Sequence, residues 1–98
     1  MNALVTDRLL QAIRQEAEQA MERYGDLTST HEAMGVLGEE WDELRAAIHA
    51  NHVVAIRKEA VQVAAVALRL AAACEDAHMV PDGIAPTPFA RRSFPWAR

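Results

Sequence analysis

Between Ala60 and Leu68 the chain is apolar at every position except Gln62. This stretch lies inside a longer run, from about Val53 to His78, that contains neither glycine nor proline. Such a run reads as a helix, and one that is apolar on all sides must be contacted from several directions. It is therefore the expected central helix of a bundle. At nine residues, Gln62 among them, this stretch is far shorter than the roughly twenty a membrane span requires.

Two shorter helices precede it. The first is expected from Asp7 to about Tyr24, with Thr6 as N-cap and Gly25 as the stop. Leu9, Leu10, Ile13, Ala17, Ala20, Met21 and Tyr24 recur at three- and four-residue steps and form its apolar stripe. The second is expected from about Thr30 to Ala50, opened by a capping box of Ser29 and Glu32. Met34, Leu37, Trp41, Leu44 and Ile48 form its seam, which makes Trp41 a core residue. His49-Ala50-Asn51-His52 is the turn into the third helix.

These patterns predict an all-α fold, a helical bundle of three main helices over residues 1–79. Two short partners cannot cover a third helix that is apolar all round. The bundle is accordingly expected to be completed by oligomerisation, as a homodimer or a dimer of dimers. From Val80 the composition changes: all four prolines lie in residues 80–98, with three arginines and Phe89, Phe94 and Trp96. That excludes a continued helix and predicts an extended Pro-rich C-terminal arm packed on a neighbouring surface, such as another subunit.

Charge and cysteine usage narrow the partners. A net charge of −4 and a pI near 5.5 argue against a nucleic-acid-binding surface, which needs clustered cations. With no apolar segment long enough to span a bilayer, no membrane partner is expected. Cys74 is the single cysteine, so no internal disulfide can form, and a cytoplasmic protein is expected. Its Ala71-Ala72-Ala73-Cys74 setting reads as that of a small buried apolar residue.

The polar residues that break the apolar pattern carry the chemistry. At about 100° per residue, Glu40 lies roughly 80° from the centre of the second-helix seam, and Glu43 somewhat further round the same side. Both share that flank with Ala33, Val36 and Ala47, whereas Glu39 and Asp42 point elsewhere. On the third helix Glu59, Gln62, Val66 and Arg69 form one stripe. Two helices that each offer two oxygen-bearing side chains one turn apart can hold a hard cation. Magnesium takes near-octahedral oxygen coordination, commonly from a few carboxylates plus water and substrate phosphates.

The Glu39-Glu40-Trp41-Asp42-Glu43 motif, followed after a short turn by Glu59-Ala60-Val61-Gln62, resembles the EExxE and ExxD signature of the MazG-like all-α nucleoside triphosphate pyrophosphohydrolases. The resemblance runs from about Arg23 to Ala73 and is to the short single-domain bacterial and phage type. It implies that Glu40, Glu43 and Glu59 bind magnesium or manganese, with Gln62 at the position of the family's Asp. It also implies cleavage of a nucleoside triphosphate between the α and β phosphates, giving monophosphate and pyrophosphate. Glu39 matches the first acid of the motif. Glu39, Glu40 and Glu43 are the candidate catalytic bases for the attacking water.

Gln62 is the departure. Its carbonyl can ligate a hard cation but brings no charge, so affinity should fall. A catalytically weakened nucleotide-binding or regulatory module is the alternative function, and a purely structural helical dimerisation protein the third. Arg69, Lys58 and His31 are the candidate substrate-binding residues. An ion pair for Arg69 and a solvated position for Lys58 and His31 are their structural alternatives.

Overall fold

The computed structural model describes residues 1–79, with side chains through Asp76, and consists of three helices. These are α1 (Ala3–Tyr24), α2 (Thr30–His49) and α3 (Val53–Met79). The fold is all-α, with no strand among the described residues. The arm expected over 80–98 lies outside them. No helix of the described residues is long and apolar enough to cross a membrane.

Local chemistry explains each boundary. α1 begins four residues before the expected Asp7, because Asn2 is the N-cap: its side-chain oxygen accepts from the Val5 N–H at 2.9 Å. Thr6 caps nothing, and its hydroxyl donates to the Asn2 carbonyl at 2.9 Å. Gly25 ends α1 at φ 77°, a conformation that favours glycine, with its N–H donated to the Met21 carbonyl.

Ser29 caps α2 by accepting from the Glu32 N–H at 3.0 Å. The reciprocal arm of the expected capping box closes one residue earlier than the sequence pattern implies. Glu32 accepts from the backbone N–H and the hydroxyl of Thr28. Between α2 and α3, Asn51 adopts φ 54°, and His52 Nδ1 accepts from the Ala55 N–H at 3.1 Å. A residue able to turn left-handed and a side-chain cap thus make the reversal within the expected turn.

α3 packs against both α1 and α2, which do not pack against one another. The buried residues are mostly small: Ala17 of α1, Ala33 and Ala47 of α2, and Val61, Ala65 and Val66 of α3. Leu27, in the α1–α2 connection, joins Ala33 in a cluster against Leu70, Ala73 and Cys74. Burial pushes the Cys74 thiol up, with the Glu75 charge adding to the shift, which disfavours the reactive thiolate.

The expected seam of α2 is corrected. Met34 is 65% exposed, Trp41 48% and Ile48 45%, so these residues line an outer face while Ala33 and Ala47 are buried. Packing selects the flank of small residues because it brings α2 closer to α3. α1 shows the same split, with Ala17 buried and Leu10, Met21 and Tyr24 exposed. α3 buries one side only and leaves Ala67 and Leu68 outside.

Candidate metal centre and its cavity

Choosing the small-residue flank turns the acids inward. Glu40 and Glu43 stand one turn apart on α2, and Glu59 stands in the second turn of α3 facing them. One carboxylate oxygen from each lies within 4.8 Å of the other two. Glu40 and Glu59 are half-buried and Glu43 is exposed, so the group sits at an edge of the helix pair with one side open to solvent.

Three like charges at this spacing conflict with one another. The Oε2 atoms of Glu40 and Glu59 are buried with no hydrogen-bond partner. Burial pushes the Glu40 carboxyl up, and repulsion from Glu43 and Glu59 adds to it. Burial also raises Glu59, together with its proximity to Glu43, while the Lys58 charge pulls the other way. As carboxylates, none of the three has a donor to offer. A proton between Glu43 and either neighbour would supply one, and so would a cation. The oxygen-only donors and the two orphaned oxygens fit a hard divalent ion.

Beside this cluster, α1 and α2 flank α3 without meeting and leave a cavity of about 530 Å³. Glu40 belongs to both cluster and cavity. Gln62 lines the cavity with Glu40, and Val66 and Arg69 continue the α3 stripe along it. Glu39 also lines it, on the wall shared with Glu40, and does not point away as the angular argument had it. α1 and α2 do not meet, so α2 residues as far round as Glu39 line the space between them.

The remaining predicted residues fall in different places. Arg69 is buried and donates through Nη2 to the Gly25 carbonyl at 3.1 Å, tying α3 to the end of α1. The ion pair expected as its alternative does not form among the described residues. His31 and Lys58 are exposed, and neither lines the cavity. Trp41 is too far outward to be a core residue. Five residues on α1, Glu16, Gln19, Ala20, Arg23 and Tyr24, contribute a wall of the cavity that sequence reasoning did not identify. Their i, i+3, i+4, i+7, i+8 spacing is the signal that marks them as one face.

No family model, curated protein or solved structure matches this chain.

Proposed function

We propose that the protein is a metal-dependent nucleotide pyrophosphohydrolase of the MazG-like kind, converting a nucleoside triphosphate to monophosphate and pyrophosphate. The observation that carries this reading is the convergence of Glu40, Glu43 and Glu59, with two of their oxygens buried and unpartnered. The EExxE and Glu59-to-Gln62 pattern adds the family resemblance, and the adjoining cavity falls in the size range of small-molecule sites.

In this reading Glu40, Glu43 and Glu59 hold magnesium or manganese, and Gln62 lends a neutral carbonyl from the cavity side. The bound cation would supply charge neutralisation for the phosphates and acidify a water. The chain itself supplies the base. Glu40 stands at the junction of cluster and cavity and is the best placed of the three candidates. Glu39, exposed at the cavity wall, is placed to orient water or a neighbouring carboxylate. Glu43, open to solvent, is placed to pass the proton out.

The test is product analysis with a panel of nucleoside triphosphates and either metal. Monophosphate and pyrophosphate in equal amounts support the reading, and absence of turnover with every triphosphate refutes it. Gln62 specifically favours a second reading, a module that binds nucleotide without cleaving it, because it removes one negative charge from the family's ligand set. Metal-dependent nucleotide binding without product distinguishes that case.

The proposal includes a homodimer or dimer of dimers. The outward Met34, Trp41 and Ile48 support it, since one helix carries all three on one exposed face. A sedimentation measurement giving a monomer at micromolar concentration would refute this part.

A further inference from the structure

Arg69 is the one buried charged residue of the described chain at 9% exposure, and no carboxylate forms an ion pair with it there. Of its donors, Nη2 is used on the Gly25 carbonyl, and Nε is buried without a partner. A guanidinium stays protonated at any physiological pH, so it cannot relieve its burial by losing charge. A buried cation without an anion is costly, and it persists where something else supplies the anion.

Position says where that anion would sit. Arg69 lines the 530 Å³ cavity from α3, and Arg23, stacked over the Tyr24 ring, lines it from α1. Seven residues at 1.5 Å each put Arg69 about 10 Å beyond Gln62 along α3, and about 15 Å beyond Glu59. The acidic residues of the cavity have other positions. Glu32 is tied to Thr28, Glu40 belongs to the metal cluster, and neither Glu16 nor Glu39 pairs with Arg69. Asp26 and Asp76 border a smaller cavity that Arg69 also lines, and they too leave it unpaired.

We infer that Arg69, with Arg23 at the rim, forms an oxyanion site that receives a phosphate group at the end of the cavity remote from the acid cluster. The site needs no divalent cation and does not rest on the metal reading. A guanidinium that lines the cavity with donors still unused can offer charge-assisted hydrogen bonds to a phosphate's oxygens. The separation from Glu59 exceeds the span of one phosphoryl group, so this is a second polar anchor and not part of the cation's own coordination.

The experiment uses the full chain in EDTA, so that the acid cluster plays no part. Inorganic phosphate and pyrophosphate are titrated at millimolar concentration against sodium chloride of equal ionic strength, below the range where salts stabilise proteins generally. The expected result is a saturable rise in Tm, weakened about tenfold in apparent affinity in Arg69→Lys and lost in Arg69→Gln. Because Arg69→Gln also removes the bond to Gly25 and can unfold the chain, the unmutated protein gives a second readout. Its Arg69 Nε–Hε NMR resonance should shift saturably with phosphate. A resonance indifferent to phosphate overturns the inference. So does one that responds instead to protein concentration, which assigns the anion to a second copy, or to Asp76→Asn, which assigns it to the chain's own carboxylate. An unchanged phosphate response in Arg69→Gln overturns it equally.

Discussion

The two ends of the α3 stripe carry opposite charges in the same predicament. At one end Glu59 meets Glu40 and Glu43 with buried oxygens unpartnered, and at the other Arg69 is buried with Nε unpartnered. Neither neutralises the other, because about 15 Å of helix separates them. Between them Val61, Ala65 and Val66 form ordinary core. The difference lies in what each end can do without a ligand. Carboxylates can take up protons, and two of the three have raised proton affinity. The guanidinium has no such escape. Of the two ends, only the acid end should therefore make unliganded stability depend on pH.

The largest effect should come from the acid end with metal. Magnesium or manganese at about a hundredfold its Kd adds roughly 2.7 kcal/mol to the folded state, a rise in Tm on the order of 10 °C for a domain of this size. Glu40→Gln and Glu59→Gln should each abolish that rise and, if the chain is an enzyme, lower kcat/KM by two orders of magnitude or more. Arg69→Lys should leave the metal-induced rise intact. A metal response that survives both glutamine substitutions places any cation elsewhere and breaks the comparison.

Next comes the pH dependence in EDTA. Glu40 and Glu59 bind protons more tightly folded than unfolded, where their ordinary value is 4.5. Between 4.5 and the raised folded values the native state holds more protons, so stability falls as pH rises through that window and is lowest above it. Melting curves from pH 4.5 to 8 should show this trend superimposed on the rest of the chain's titration. Glu40→Gln should flatten it, as should saturating metal, which takes the place of the protons. A metal-free stability that is the same in wild type and Glu40→Gln at every pH contradicts the crowding of the three carboxylates.

The two ends also differ in how far they could be read from sequence. Helix count, the Gly25 stop, the Ser29 cap and the turn at Asn51 were legible because each depends on a few neighbouring residues. The pairing of Glu40 and Glu43 on one flank, and of Glu59 with Gln62 on another helix, followed from helical periodicity. The start of α1 was not, since Asn2 and Thr6 are both good caps and the choice rests on the first turn extending back to Ala3. The inner face of α2 was misread because bulk pointed to Met34, Trp41 and Ile48, while close packing on α3 selected Ala33 and Ala47. The α1 wall of the cavity depends on α1 and α2 packing on α3 without meeting, a relation between elements distant in sequence. The same holds for Arg69, whose hydrogen bond to Gly25 spans 44 positions.

A smaller effect, of two signs, belongs to Gln62. Gln62→Asp places another carboxylate beside Glu40 and should lower the EDTA Tm by a few degrees, on the order of 1 kcal/mol, through repulsion and burial. With magnesium the same charge becomes a ligand and should tighten binding about tenfold or more. A variant neutral in both conditions shows that the Gln62 side chain does not meet the acids.

The smallest expected effect is that of Lys58, exposed and outside the cavity, yet close enough for its charge to oppose the rise in Glu59. Lys58→Met removes that opposition. Glu59 should then hold its proton more tightly, but the charge removed repels a divalent cation more strongly than a proton, so apparent magnesium affinity should rise, by a few fold at most. The interaction passes largely through solvent, so it is screened, and the gain should shrink as salt is raised toward 1 M, where the Debye length is about 3 Å. The loss in Glu40→Gln should show no such salt dependence, because that variant removes a ligand and not a screened charge. A Lys58→Met change that is indifferent to salt, or that lowers magnesium affinity, would mean that Lys58 acts on the acids by direct contact, and the acid end would have to be redrawn with a cation of its own.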